Sequence, residues 1–388
     1  MLAFLGWWSA QTHGKRRKMV SMIRCLFVLL LVVSVSGCTT LGYYQQAIVG
    51  QWQLLIKSRP LDEVLADPQV TPDVKSRLVV AKQIRSFAAN TLHLPVADSY
   101  STYVDVGAPY VIWNVFAAPE FSLTMNTFCY PIAGCVSYKG FFSEAPAAAL
   151  AKALAAQGSD TFYGGVAAYS TLGWFADPIL STFVERDDTE LAALLFHELA
   201  HKVIYIPGDT RFNESFASTV ARYGLRQWLP LQVEEGAYTD YLLTTQRRGD
   251  VIDLIIGARE ALAQVYALEI ADSDKRQRKA ALIELLRRDY QTLAEQWGTP
   301  GPFRGWMAAD INNARLGAVA DYNGWVPAFE RLLASLDGDL PAFFAAVERL
   351  AEADQGYRDE CLGSFMTDPQ VHGEQQATGI TQVCNPAL

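Results

Sequence analysis

Histidine is scarce in this chain, with five among 388 residues, and none of the six cysteines stands in a C-x-x-C pair. That spacing argues against a cysteine-rich structural zinc site. Basic residues are also outnumbered, 32 Lys and Arg against 41 Asp and Glu, which argues against nucleic-acid binding. No low-complexity tract and no repeat is visible, and 51% of the residues are hydrophobic. The composition is therefore that of a globular protein.

The first 37 residues have the pattern of an export signal. Lys15-Arg16-Arg17-Lys18 precede an apolar run from Cys25 to Val35, which small residues close. A run this short favours a secretory signal over a membrane span, with an uncleaved signal anchor as the alternative. Removing residues 1–37 leaves 27 basic and 41 acidic residues, a formal charge of about −14.

The segment Val35-Ser36-Gly37-Cys38 resembles the lipobox of bacterial lipoproteins. The resemblance implies that Cys38 carries a lipid, which anchors the chain to a membrane, and becomes the first residue of the mature protein. Thr39 is similar to the residue that sorts such lipoproteins to the outer membrane. The expected location is therefore the cell envelope, at the periplasmic face of the outer membrane.

Four cysteines follow Cys38 in the sequence: Cys129, Cys135, Cys361 and Cys384. An even number of cysteines in an exported protein predicts disulfides, because the compartment is oxidising. Proximity in sequence favours the pairs Cys129–Cys135 and Cys361–Cys384.

The most informative motif is His197-Glu198-Leu199-Ala200-His201. Histidines at i and i+4 project from one face of a helix, so both imidazoles can bind one tetrahedral cation, for which zinc is favoured. Glu198 is then placed to act as general base toward the attacking water. A capping box at Asp187–Glu190 predicts the start of this helix, and Pro207-Gly208 its end. The alternative is a solvated helix face without a metal.

Glu214 is the expected third metal ligand. A second helix that begins near Asp209 and packs antiparallel to the first brings Glu214 opposite His201, because both lie almost equally far from the turn. In the alternative, Glu214 is a first-turn glutamate favoured by the helix dipole, and Asp209 or Glu185 supplies the third ligand.

The predicted fold class is α+β, mostly helical, with a small mixed or antiparallel sheet that precedes the motif helix. The expected organisation is a signal peptide at 1–37, a helical segment at 38–98, the sheet and helix pair at 99–228, and a helical region at 229–388 that completes the cleft. Strands are expected at Tyr110–Phe116, Phe128–Tyr138 and Gly165–Leu172, and an Ala-rich helix at Glu144–Gln157.

This order of elements resembles the zincin plan, in which an edge strand of the sheet binds extended substrate by main-chain pairing. The best candidate for the edge strand is Val166–Leu172, with burial as a core strand as the alternative. Farther along, Ile311–Leu316 and Tyr322–Pro327 combine asparagines, Arg315 and Tyr322. These residues either line the cleft opposite the metal, or form an Asn-capped loop with Trp325 in the core.

Four runs resemble a family of bacterial lipoproteins described as predicted aminopeptidases. They are residues 113–119, 129–140, 168–178 and 196–217, the last with a gluzincin-type H-E-x-x-H and N-E-x-F-A. The similarity covers nearly all of the mature chain and implies one zinc ion held by His197, His201 and Glu214, with Glu198 as base. Two features depart from better-known gluzincins: the gap to Glu214 is shorter, and Ser218 stands where thermolysin-like enzymes have an acidic residue.

The expected activity is zinc-dependent hydrolysis of peptide or protein substrates, most simply as an aminopeptidase. Glu198 takes a proton from water and passes it to the leaving amine, and Tyr322 or Tyr169 stabilises the oxyanion. The alternatives are an envelope endopeptidase and a catalytically inactive zinc-binding lipoprotein.

Overall fold

The computed structural model describes residues 38–130, 134–168, 171, 175–231 and 237–366. The chain divides into two compact units, one ending at Ile56 and the other beginning at Lys57. The fold class is α+β, as predicted, because helices dominate and the strands form small sheets.

None of the helices in the described ranges is both long and apolar enough to cross a membrane.

Helices are labelled α1 to α14 in chain order. Several begin at a side-chain cap, since Thr71, Asp209, Asn312 and Asp339 each accept a hydrogen bond from a first-turn backbone N–H. Their bounds are α1 Cys38–Lys57, α2 Leu61–Ala66, α3 Pro72–Asn90, α4 Glu144–Ala156, α5 Ser181–Val184, α6 Asp188–Ala200, α7 Thr210–Trp228, α8 Ala237–Ala267, α9 Asp272–Trp297, α10 Arg304–Ala308, α11 Asn313–Asn323, α12 Val326–Ser335, α13 Leu340–Glu352 and α14 Gln355–Met366.

The strands are β1 Arg59–Pro60, β2 Thr102–Val104, β3 Ile112–Pro119, β4 Phe128–Tyr130, β5 Gly134–Val136, β6 Tyr138–Phe141, β7 Ser159–Val166 and β8 Ile179–Leu180. One sheet has the order β6-β3-β7 and is antiparallel throughout. A second has the order β1-β2-β8, and β4 pairs with β5 in a hairpin. Helices α4 and α11 both pack on the central strand β3, so this strand is buried along most of its length.

Helices α8 to α11 share a hydrophobic core. Its fully or almost fully buried members come from α8, α9, α10 and α11 and the turn before α11: Val251, Ile255, Leu262, Leu286, Tyr290, Met307, Ile311 and Leu316. Helix α11 also packs on α7, the helix that carries Glu214. The C-terminal helices therefore support the predicted ligand helix from behind.

The third strand differs from its predicted position. Strand β7 is Ser159–Val166, so it overlaps the predicted strand Gly165–Leu172 at two residues and the proposed edge strand Val166–Leu172 at one; residues 169, 170 and 172 lie outside the described residues. Gly158 adopts a φ of +87°, which lets the chain turn directly from α4 into β7. Pairing with β3 along the whole strand, from Ile112↔Val166 to Pro119↔Ser159, then fixes the register.

The motif helix also ends earlier than predicted. Helix α6 stops at Ala200, so His201 is its C-cap and Pro207-Gly208 lies beyond a separate turn. The backbone N–H groups of Lys202 and Val203 close this turn on carbonyls of the last helical residues. β-Branched residues follow at 203, 204 and 206, and such residues favour helix less than those of the preceding turns.

For the segment around α11, the structure matches the second interpretation at two residues. Asn312 caps α11 by accepting a hydrogen bond from the Arg315 N–H at 3.1 Å, and Trp325 is buried. Asn313 is fully buried and donates to the carbonyls of Pro119 and Glu120, so it ties α11 to the end of β3.

Candidate metal centre

Helix α6 presents the motif on the side away from its buried stripe. Asp187 caps the helix by accepting from the Glu190 N–H at 2.8 Å, as the capping box predicts. Leu191, Leu195 and Leu199 are fully buried, while His197 and Glu198 are half-buried. Packing of the leucines therefore fixes which face of the helix His197 and Glu198 occupy.

Helix α7 places Glu214 against that face. Asp209 caps α7 by accepting from the Phe212 N–H at 3.1 Å. Asn213 pairs with Ile206 through two hydrogen bonds of 2.8 Å, from the Ile206 N–H to its Oδ1 and from its Nδ2 to the Ile206 carbonyl. The turn after α6 is thus fastened to the first turn of α7, directly beside Glu214.

The three predicted ligands converge on one point. His197 Nε2 lies 3.1 Å from Glu214 Oε2 and 3.2 Å from His201 Nε2, and His201 Nε2 lies 3.7 Å from Glu214 Oε2. Of the residues that the structure describes, these are the one group of His, Cys, Asp or Glu whose ligand atoms lie within 4.8 Å of one another. Neither Asp209 nor Glu185 belongs to the group.

This donor set fits a tetrahedral cation. Ligands about 2.0–2.1 Å from a tetrahedral centre lie about 3.3–3.4 Å apart, close to the three observed separations. Two imidazoles and a carboxylate are ligands that zinc takes in hydrolytic sites, where a fourth position stays open. The Nδ1 of His201 is buried without a hydrogen-bond partner in the described part of the chain, so no hydrogen bond from that nitrogen orients the ring there.

Burial and charge shift the ionisation of the cluster. Burial alone would raise the pKa of Glu214, but the positive charge on His201 and hydrogen bonds with both histidines lower it to about 2. Burial alone would lower the pKa of His201. The negative charge of the Glu214 carboxylate and its hydrogen bond have a larger effect, so the pKa of His201 is raised. Glu214 is therefore ionised at neutral pH, as a metal ligand must be.

Glu198 lies beside this cluster without joining it. Burial raises the pKa of Glu198, and the two histidines oppose that shift only in part. A carboxylate with a raised pKa is a better proton acceptor, which suits a general base. Its neighbour Tyr100 is buried, and both burial and the charge on Glu198 raise the pKa of that phenol.

The loop that carries Tyr100 is held to the end of the motif helix. The Tyr100 N–H donates to the Asp177 carbonyl at 2.7 Å, and Lys202, next to His201, donates to Ser99. Tyr100 has a φ of +59°, a conformation that a bulky residue rarely adopts outside functional sites. No sequence pattern marked Tyr100, because the contact joins segments about a hundred residues apart.

The tyrosines predicted as oxyanion donors are not placed by the structure. Tyr169 lies outside the described residues, and Tyr322 lies in α11 with its side chain not described. Tyr205, which the sequence reasoning missed, packs edge-on against His201 with ring centroids 6.5 Å apart. Burial and the charge on Glu214 raise the pKa of Tyr205. Its position four residues after His201 was the available signal.

The alternative ligands have other roles. The Asp209 carboxylate accepts from Arg358 Nη2 at 2.7 Å and Nε at 3.2 Å, and both side chains of this ion pair are buried. Glu185 is exposed and lines a separate open cavity of about 520 Å³ together with Asp105, Ser181 and Arg186. Glu214 is therefore the carboxylate that meets the histidines.

A disulfide hairpin packs on the turn between the ligand helices. Cys129 and Cys135 are joined by a disulfide, which links β4 to β5. A Cβ placed on Gly134 would lie 2.9 Å from the Gly208 nitrogen and 3.1 Å from the Pro207 Cβ. The hairpin thus lies close against Pro207-Gly208. Cys361 is buried and disulfide-bonded, and its predicted partner Cys384 lies outside the described residues.

The structure places Cys38 at the first residue of α1. The signal segment before it, and the basic and apolar runs that predict it, lie outside the described residues. The lipid on Cys38 therefore stays a prediction from the sequence.

Comparison with protein-family models gives a match that covers most of the chain. The family model described as "Putative aminopeptidase" matches residues 42–362, which include α6, α7 and all three predicted ligands. No curated protein and no solved structure matches the chain.

Proposed function

The chain belongs to the putative aminopeptidase family, and on that premise we propose that it is a zinc-dependent peptidase that removes residues from the N-terminus of peptides. The observation that carries the proposal is the convergence of His197, His201 and Glu214 within 4.8 Å, with Glu198 beside them. The family supports hydrolysis of peptide bonds, and the residue cluster supports the metal.

His197, His201 and Glu214 would hold the ion. Bound there, zinc would supply a Lewis acid that polarises the scissile carbonyl and lowers the pKa of water. The cluster needs no further protein ligand, because a catalytic site keeps one position open.

Glu198 moves the protons. Its carboxylate accepts a proton from the attacking water and donates it to the leaving amine. Burial raises the pKa of this carboxylate, and its charge contributes to the raised pKa of the Tyr100 phenol. A glutamate in this place has no function at a purely structural metal site, which would need a fourth protein ligand instead.

We further propose that the protein acts at the cell envelope, anchored by a lipid on Cys38. This part rests on the Val35-Ser36-Gly37-Cys38 segment and the apolar run before it. The substrate is then a peptide or protein that reaches the periplasmic face of the membrane.

Glu198→Gln tests the mechanism, with Glu190→Gln as its matched control on the same helix. The amide keeps the shape of the side chain but cannot accept a proton, so kcat should fall by about 10²–10⁴-fold. Glu190 is exposed, and its substitution should leave kcat unchanged. Zinc content, measured by elemental analysis, should be equal in all three proteins, because neither glutamate is a ligand.

A paired substrate panel separates the alternatives. Peptides with free N-termini should be cleaved, and the same peptides with acetylated N-termini should not be. Equal cleavage of both sets would show that the enzyme does not need a free N-terminus and is an endopeptidase. If wild-type protein with stoichiometric zinc cleaves neither set, the protein is a catalytically inactive zinc-binding lipoprotein.

A further inference from the structure

Helix α1 carries an apolar side that is open to solvent. Tyr44, Ile48, Val49, Trp52 and Ile56 are 37%, 67%, 48%, 62% and 67% exposed. At about 100° per residue, these five side chains occupy an arc of about 140° on one side of the helix. We call them the α1 apolar face. The buried residues of the same helix, Gly50 and Leu54, project from the other side.

The helix has almost no charge. From Cys38 to Ile56 it contains no Asp, Glu, Lys or Arg, and its single charged residue is Lys57 at the end. The exposed residue Gln45 lies within the arc of the apolar face and Gln53 lies beside it, and neither carries a charge. Exposure of large apolar side chains to water is unfavourable. Single exposed apolar residues are common on protein surfaces, whereas a contiguous row of them indicates an interaction site.

The start of α1 identifies what covers this face. Cys38 is the first residue of the helix, and the proposed lipid is attached there. Tyr44 lies six residues farther on, which is about 9 Å along the helix axis. A lipid at Cys38 therefore holds the apolar face next to a bilayer. Tyr and Trp, both present on the face, are the side chains that prefer the boundary between headgroups and acyl chains.

We propose that α1 lies in the surface of the lipid bilayer, with the α1 apolar face toward the acyl chains. The helix and the lipid then form two membrane signals in series, which together bind far more stably than one acyl chain. This inference rests on the lipid anchor proposed above and is independent of peptide hydrolysis.

The lack of charge specifies the kind of membrane surface. Anionic headgroups attract basic segments, and α1 has none apart from Lys57. The helix should therefore bind neutral phosphatidylcholine as well as anionic lipid, and salt should have little effect on it.

Spin labels on single introduced cysteines test the orientation in the full chain. The label is placed by Ile48→Cys or Trp52→Cys on the apolar face, and by Gln46→Cys on the other side of the helix as the matched control. Each protein is reconstituted into phosphatidylcholine vesicles, and its accessibility to oxygen and to a water-soluble nickel chelate is measured. The ratio of oxygen to nickel accessibility should be several-fold higher at 48 and 52 than at 46.

Equal ratios at the three positions would overturn the proposal. Labels at 48 and 52 that are immobilised equally in detergent and in vesicles would also overturn it, since a second copy or another segment would then cover the face. The mass of the N-terminal peptide from the same sample reports the lipid separately. A high ratio without the lipid would support the helix and refute the anchor.

Discussion

At the scale of residues, Glu214 determines the character of the metal centre. Its carboxylate is buried between two imidazoles whose Nε2 atoms are 3.2 Å apart. Without a cation, the two facing nitrogens must share a proton between them or one ring must be charged. A divalent ion satisfies all three donor atoms at once, and it replaces the protons that would otherwise be needed.

His197→Ala should therefore lose the metal. We expect about one zinc per chain in wild-type protein and a small fraction of that in the variant, because two ligands remain where three are needed. His93→Asn is the control, since His93 has a φ of +55° that asparagine tolerates and belongs to no ligand group. Elemental analysis of chelator-free protein measures the result. The same zinc content in all three proteins would show that His197 does not bind zinc and would refute the proposed site.

The tyrosines near the centre should separate into two kinds. Loss of an oxyanion donor lowers kcat by about 10²–10³-fold with little change in zinc affinity, and we expect this for Tyr322→Phe or Tyr169→Phe. Tyr205→Ala should instead weaken zinc binding, because it removes the ring that packs edge-on against the His201 ring. Kinetics and zinc titration of each variant give both quantities, with the exposed Tyr163→Phe as control. If kcat is unchanged in both Tyr322→Phe and Tyr169→Phe, neither tyrosine donates a hydrogen bond to the oxyanion.

The sequence predicts the ligands and not their surroundings, for a physical reason. His197, His201 and the Asp187 cap are set by helical periodicity, which is local and can be read from spacing alone. Arg358, which pairs with the cap of α7 at Asp209, lies 149 residues away from it. Such a contact follows from tertiary packing, and no local pattern indicates it.

At the scale of elements, the turn between α6 and α7 positions the third ligand. Asn213 fastens its start, the Asp209–Arg358 ion pair fastens its end, and the disulfide hairpin packs on Pro207-Gly208 between them. Removing one partner of a buried ion pair costs about 3–5 kcal/mol, because the other charge is left buried without a partner. The C-terminal helix α14, which carries Arg358, is thus tied to the start of α7, the helix that carries Glu214.

Two glycine variants isolate the effect of the hairpin. Gly134 and Gly107 have φ values of +72° and +70°, so alanine introduces similar backbone strain at both, about 1–2 kcal/mol. A Cβ at Gly134 also meets the backbone of Pro207-Gly208, while one at Gly107 meets nothing within 4 Å. Gly134→Ala should therefore lose more stability and also weaken zinc binding, whereas Gly107→Ala should keep its zinc affinity. Denaturant unfolding and zinc titration test this, and equal zinc affinity in both variants would show that the hairpin does not position the turn.

Element types were easier to predict than their ends. The helix Glu144–Ala156 agrees with the sequence because alanine favours helix, and the start of α7 agrees because Asp209 caps it. The third strand was predicted too late in the sequence because Asp160, Gly164 and Gly165 are residue types that strands disfavour, and only the pairing with β3 fixes the strand there. The end of α6 was missed because the helix stops without glycine or proline.

At the scale of the whole molecule, the net negative charge of the chain bears on the proposed lipid anchor at Cys38. The chain without its first 37 residues has a formal charge of about −14, yet α1 contributes no acidic residue to it. Acidic proteins are repelled by anionic membrane surfaces, so under the proposed lipid anchor at Cys38 a helix without acidic residues would add nothing to that repulsion.

The lipid itself is the final prediction. We expect the mature chain to begin at Cys38 with a lipid attached, because the apolar run from Cys25 to Val35 is closed by Ser36-Gly37 immediately before this cysteine. Mass spectrometry of the N-terminal peptide decides it, and Cys38→Ser is the matched variant that cannot be acylated. Wild-type protein should require detergent for extraction and show the added acyl mass, and the variant should retain residues 1–37 or lose the acyl mass. An N-terminus at Met1, Met19 or Met22 in wild-type protein would mean that the apolar run is an uncleaved anchor, and the enzyme would then be held to the membrane by its signal segment instead of a lipid.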